Sequence, residues 1–168
     1  MKGYLLTWNA AKWPWYELAQ TADRVRKGER MTDRWNCSRT TSIEIGDRVF
    51  ILKQGSEPRG IMAAGWVRTA VFQDLHWDES KAAQGYFTNY VEFTYETLRD
   101  PEREAILERD YLKHAPGLSQ FHWDTRSSGN RIGTAVLQEL EAAWTGLTCR
   151  SMANPLFLAN RKQDAQLS

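Results

Sequence analysis

Four tryptophans, Trp13, Trp35, Trp77 and Trp123, stand in polar, turn-rich contexts (AKWPW, TDRWNCS, DLHWDES, FHWDTRSSG) instead of inside apolar runs. An aromatic ring held on a loop beside basic residues is what stacking on an unpaired nucleobase requires. Trp13 has three readings, since it could stack, wedge or pack against Trp15, whereas Trp8, Trp66 and Trp144 are expected in the core. Trp35 lies inside a basic stretch in which Arg24, Arg26, Lys27, Arg30, Arg34 and Arg39 face only Glu29 and Asp33. Such a stretch reads either as a solvated helix face and loop or as a set of phosphate contacts.

Catalytic chemistry finds less support. Cys37 precedes Ser38 and Arg39 in that basic stretch, which could lower its pKa, but no partnered base accompanies it. His76, His114 and His122 are isolated from one another, and the two His-Trp-Asp triplets at 76–78 and 122–124 are far apart, so no metal site is expected. A nucleophile elbow and a phosphate-binding loop are lacking, and the stretch from Gly129 to Gly133 (GNRIG) lacks both the third glycine and the strand of a dinucleotide fingerprint. The charges from Glu108 to Lys113 (ERDYLK) read as solvent-facing ion pairs. These residues predict a binding domain without a cofactor and not an enzyme; a small hydrolase using Cys37 or a histidine is the alternative from another class.

The elements that must hold these residues follow from periodicity. GYLLTWN is a buried first strand, and Trp15, Leu18, Ala19, Ala22 and Val25 keep helical spacing after Pro14. A polar loop through Trp35 follows. Two strands, from IGDRVFILKQG and RGIMAAGWVRTAVF, form a hairpin around the turn from Gly55 to Gly60, the first of them apolar on both faces. QDLHWDESKAAQG reads as a loop and YFTNYVEFTYETL as a half-exposed strand. Asp100 and Pro101 open a predicted helix to about Lys113, and the residues from Ile132 to Leu147 form the last helix, with a further strand near Phe121. Few long helices separate the strands, which favours an α+β fold with a small mixed barrel over a doubly wound sheet.

Composition sets the outer bounds. A chain of 168 residues fits one domain, read as 1–150 with a polar tail or linker over 151–168. A net charge of +1 argues against coating nucleic acid through many phosphate contacts, so binding must come from a local patch and a specific pocket. Two cysteines in a chain of this size predict free thiols. Without an apolar run of membrane-spanning length, a cytoplasmic protein of prokaryotic type with no membrane partner is expected.

The quoted residues also carry a family resemblance. YLLTWN at Tyr4–Asn9, WPW at Trp13–Trp15, Trp35 ahead of IGDRVF at Ile45–Phe50, and RGIMAAG at Arg59–Gly65 resemble an EVE domain, a PUA-like group related to the YTH readers of methyladenine. With Ser128 and Gly129 before the last helix, the pattern is similar to the EVE modules fused to HNH nucleases in modification-dependent restriction enzymes. The resemblance implies a PUA-like mixed β-barrel with peripheral helices that takes one modified base, flipped from double-stranded DNA, into an aromatic pocket. 5-methylcytosine or 5-hydroxymethylcytosine is favoured, with N6-methyladenine DNA or modified RNA as alternatives. It makes Trp35 a pocket wall, Asn9 a reader of the base edge and Trp77 a second wall, with Ser38, Thr40 and Trp13 as further pocket candidates. Arg24, Arg26, Arg34 and Arg39 become the phosphate contacts. Nothing after Trp144 resembles the HNH nuclease, so any cleavage belongs to a fused or associated partner.

Overall fold

The computed structural model describes residues 1–152, and its centre is a single eight-stranded sheet. The path across it is β2 (Thr32–Ser38), β6 (Phe87–Leu98), β4 (Gly60–Val67), β3 (Arg48–Gln54), β1 (Gly3–Asn9) and β8 (Asn130–Ile132); β5 (Phe72–Leu75) extends it at β6 and β7 (Leu107–Glu108) at β4. Only β1 and β3 pair in parallel, with Gly3 opposite Arg48 and Asn9 opposite Gln54. A parallel pair needs a crossover, supplied here by α1 (Leu18–Arg26) and β2. Three more described helices, α2 (Glu79–Ala83), α3 (Arg109–His114) and α4 (Thr134–Met152), complete the α+β architecture.

Alternation in β1 and β3 puts apolar side chains on both faces. Tyr4, Leu6, Val49 and Ile51 enter the concave core with Val91, Phe93 and Tyr95 of β6, and α1 caps that side through Leu18 and Ala22. Leu5, Phe50 and Leu52 meet Val136, Leu137, Leu140 and Trp144 of α4 on the opposite face. Burial on both faces explains why β3 reads as a continuous apolar run.

The sheet curls until β2 approaches the far end of β1, and side chains close the gap that no ladder spans. β8 pairs with β1 only at Gly3, Tyr4 and Leu5, so the polar backbone of Thr7 faces the gap. Thr7 N–H donates to Ser128 Oγ at 3.1 Å, and Thr7 C=O accepts from Trp35 Nε1 at 3.0 Å. Beside them Gly129 N–H donates to Leu5 C=O, and Thr40 Oγ1 donates to Gly129 C=O at 2.8 Å.

Several sequence expectations change. The segment through Trp35 is a strand and not a loop, held by pairing with β6 from Thr32 to Ser38. QDLHWDESKAAQG contains all of β5 but Phe72, and α2, the latter capped by Asp78, whose side chain accepts from Ser80 N–H. The helix predicted from Asp100 begins only at Arg109. Asp100 Oδ1 instead accepts from Glu102 N–H in a local turn, and Glu104 Oε2 turns back onto Asp100 N–H. The first helix starts at Leu18, and the chain near Phe121 is turn, not strand. Trp123 is buried, its Nε1 donating to Leu118 C=O, so this ring is core. Trp66, expected in the core, is 37% exposed and lies against the buried Arg48, whose guanidinium carbon is 4.4 Å from its ring centroid. No helix among the described residues is long and apolar enough to cross a membrane. From residue 153 on, the expected tail lies outside the described residues.

Closure through residues 128–130 makes Gly129 a critical position. Its φ is +87°, and a Cβ there would sit 2.5 Å from Cys37 C=O. Gly129→Ala is expected to cost about 2–3 kcal/mol in urea denaturation. Gly146→Ala, in α4 with nothing within 4 Å of the new methyl, is expected to stabilise by up to about 1 kcal/mol. A loss below about 0.5 kcal/mol for Gly129→Ala would show that the approach to β2 does not matter.

Candidate nucleic-acid interface

Beyond the gap the sheet opens into a cavity of about 1070 Å³, bordered by the end of β1, the segment 10–17, β2, the β5–α2 turn and the loop 121–128. Five tryptophans line it: Trp8, Trp13, Trp15, Trp35 and Trp77. Trp35 is half-buried at the inner end, its ring centroid 5.4 Å from Trp15 and 6.5 Å from Phe93. Trp8 stands perpendicular to Trp15 at 5.4 Å, and its Nε1 donates to Trp13 C=O at 2.8 Å, which ties the segment 10–17 to β1. Trp13 and Trp77 come from separate loops and meet edge to face at 4.3 Å, both substantially exposed. Trp8, expected in the core, packs against its edge and also lines the cavity, and Trp13 packs on Trp77, not on Trp15.

Amides and hydroxyls supply the polar lining. Asn9 and Gln54 are neighbours across the parallel β1–β3 pair. Asn9 Oδ1 accepts from Ala11 N–H at 3.1 Å, and Gln54 Nε2 donates to Thr125 C=O, which fastens the loop 121–128 to the sheet. On β2, Asn36 Oδ1 accepts from Ser38 N–H at 2.6 Å and from Thr88 Oγ1 at 3.1 Å. Both bonds fall on the oxygen, leaving the Asn36 NH₂ group as the donor available to the cavity. The β2–β6 register breaks between Asn36 and Ser38, and Ser38 takes a φ of +56°, a left-handed conformation costly for a residue with a Cβ.

Charge is distributed unevenly around this lining. Asp33 accepts from Tyr95 O–H at 2.8 Å and from Arg34 N–H at 2.8 Å, yet burial holds its carboxyl above the usual range. Arg34 pairs with Asp74 at 2.8 Å and lies 4.3 Å over the ring of Tyr90. On the opposite side Asp124 receives Lys113 at 2.7 Å and Arg109 at 3.3 Å, and the Lys113 hydrogen bond holds its carboxyl below the usual range.

Among the residues singled out from the sequence, Trp35, Asn9, Trp77, Trp13, Ser38 and Arg34 line the cavity together. Thr40 does not, because its hydroxyl is used on Gly129 in closing the sheet. Arg24 and Arg26 lie outside the lining, neutralised by Glu29 at 2.6 Å and by Asp23 and Glu104 at 2.8 and 2.7 Å. Arg39 is exposed and also outside it. Sequence reasoning missed Asn36, Gln54, Tyr90, Arg59, Arg109 and Arg126, all of which line the cavity. Reading TDRWNCS as an extended strand would have brought Asn36 forward beside Trp35; nothing local marks Arg59, Arg109 and Arg126, which only the fold brings together.

The alternative nucleophile is not presented for chemistry. Cys37 is fully buried, its thiol faces Thr40 C=O at 3.5 Å, and burial pushes its pKa up to about 11. His76 Nδ1 accepts from Asp78 N–H, and burial together with Lys81 lowers the pKa of this ring beside Trp77.

Neither a protein-family model nor a curated protein matches the chain. Solved structures do. A hypothetical protein of Leishmania major superposes with a TM-score of 0.60 at 14% identity, over 85% of this chain and 94% of that one. A Pseudomonas syringae protein gives 0.58 at 15% identity, over 84% and 98%. Human THYN1, solved in complex with DNA containing 5-methylcytosine, gives 0.56 at 11% identity, over 85% and 97%. The fold is PUA-like. At these identities the likeness establishes the PUA-like architecture, with its curled mixed sheet and peripheral helices.

The two thiols should separate cleanly. Near pH 8 an alkylating reagent is expected to label Cys149, which is exposed, and to leave Cys37 unmodified until the protein is denatured. Rapid native labelling of a Cys149→Ser variant would show that Cys37 is an accessible thiolate after all.

Proposed function

We propose that this chain reads modified DNA, taking one base flipped out of the duplex into the tryptophan-lined cavity, with 5-methylcytosine or 5-hydroxymethylcytosine as the mark. The observation that carries the reading is the convergence of five tryptophans with four neutral polar side chains, Asn9, Asn36, Ser38 and Gln54, around one cavity of a PUA-like fold. That THYN1 was solved with 5-methylcytosine DNA supports the same ligand class. The role is recognition without catalysis, as an EVE-type module of a modification-dependent restriction system whose cleavage comes from a fused or associated nuclease.

Magnitudes favour a pocket of this composition. Extruding a paired base costs a few kcal/mol, and stacking on an aromatic ring returns about 1–3 kcal/mol, so the aromatic walls offset extrusion. Burying one extra methyl group adds only about 0.8 kcal/mol, roughly fourfold, which is too little for a sensor. Larger selectivity needs hydrogen bonds that the wrong base leaves unpaired. The Asn36 NH₂ group, oriented by two bonds to its own oxygen, suits the O2 and N3 acceptors of cytosine.

A titration of duplexes carrying cytosine, 5-methylcytosine, 5-hydroxymethylcytosine or N6-methyladenine at one position, at fixed salt, tests the reading. A preference of about tenfold, or 1.4 kcal/mol, for a marked cytosine is expected. Asn36→Asp keeps the oxygen that accepts from Ser38 and Thr88 but exchanges the donor for an acceptor, and should lower cytosine binding by about tenfold with an unchanged melting temperature. Uniform binding of all four duplexes would sink the assignment, and selective binding of a modified RNA would redirect it.

A further inference from the structure

The geometry points to a phosphate-binding strip along the wall of the cavity formed by Arg59, Arg109 and Arg126, with Lys113 behind it, which holds the backbone of the DNA strand whose base is extruded. This rests on the reader assignment and moves the backbone contact away from the arginines of α1.

Three separate segments build the strip. Arg59 ends the turn before β4, and its C=O accepts from Arg109 N–H at 2.8 Å, so the two arginines are backbone neighbours where β4 meets β7 and α3. Arg126 belongs to the loop 121–128, which Gln54 fastens through Thr125 C=O. All three arginines line the cavity. The compensation of these charges is thin: Arg59 pairs with Glu57, itself mostly exposed, while Arg109 and Lys113 share the single carboxylate of Asp124. Arg109 Nε is buried without an acceptor. Arg126 is exposed, with no hydrogen bond or ion pair among the described residues. Five cations, Lys12, Arg34, Arg59, Arg109 and Arg126, against three carboxylates, Glu17, Asp33 and Asp124, line the cavity, an excess of positive charge in a chain whose net charge is only +1. A run of phosphates supplies the exposed Arg126 with an acceptor and offers the bidentate geometry that guanidinium groups prefer.

Arg24 and Arg26 differ in position: neither reaches the cavity lining, and they pair with Glu29 and with Asp23 and Glu104 respectively.

The test is the salt dependence of binding, measured between about 50 and 200 mM salt on marked and unmarked duplex, where each lost phosphate contact lowers the slope by about 0.9. Arg59→Gln, Arg109→Gln and Arg126→Gln should each weaken binding severalfold on both duplexes, reduce the slope and leave the preference ratio unchanged. Arg24→Gln and Arg26→Gln should leave the slope at its wild-type value. Because Arg126 is exposed on a loop, its variant keeps the test valid if Arg109→Gln fails to fold. Unchanged slopes in the strip variants would overturn the strip, whatever the wild type prefers. Reduced slopes in a protein that prefers no mark would uphold the strip and count against the reader alone. A wild type that binds neither duplex would overturn both.

Discussion

The backbone of β1 beyond Leu5 has no ladder partner on its outer side, and a polar backbone facing a protein gap must be satisfied or it destabilises the fold. Two side chains meet this requirement at Thr7, the Ser128 hydroxyl on the N–H and the Trp35 indole on the C=O. Each comes from a different part of the chain, so the pairings fix β2 and the loop 121–128 against β1 at the same point. The cavity lies where that seam ends. Its inner wall is therefore set by the bond that closes the sheet, and Trp35 is at once a strut and a surface of the cavity.

The seam also explains why the opposite face can be so heavily packed. With β1 and β3 buried on both sides, α4 lies close enough that a Cβ on Gly3 would meet Leu137 at 2.6 Å. Arg48 links helix to sheet. Nearly inaccessible at 2% exposure, it reaches Glu96 through both terminal nitrogens and Glu141 through Nε and one of them, while Phe50 and Trp66 flank its guanidinium carbon at 5.1 and 4.4 Å. Such a cluster stabilises only when complete, because removing one partner leaves a buried charge unpaired. It braces β3, β4, β6 and α4, leaving the segments 10–17 and 121–128 to shape the open side.

Much of this was legible in the sequence. Hydrophobic periodicity located β1, β3, β4, β6 and α4, and the double-sided apolar run in β3 announced a sheet covered on both faces. Tryptophans in polar contexts pointed to the cavity for Trp13, Trp35 and Trp77, but misled at Trp123, because a turn-rich neighbourhood says nothing about which side of the turn faces the core. β2 was invisible for a physical reason. It is an edge strand whose one buried side chain is Cys37, so TDRWNCS carries no apolar alternation and is held by pairing with β6. Asp100 with Pro101 misled in another way: good helix-start chemistry was spent on a local turn closed by Glu104.

Charge was the least legible quantity, since sequence proximity is a poor guide to where cations act. The arginines nearest Trp35 in the chain include two on α1 that are neutralised by acids one turn away or across the fold. Those that reach the cavity beside Arg34 come from positions 59, 109 and 126. A pocket reader does not need a uniformly basic surface. If stacking and amide hydrogen bonds supply discrimination, a few backbone contacts suffice to hold the strand in register, and a near-neutral remainder keeps non-specific binding weak enough for the mark to matter. A net charge of +1 is then compatible with the proposed selective reading, because each added phosphate contact would strengthen marked and unmarked DNA alike.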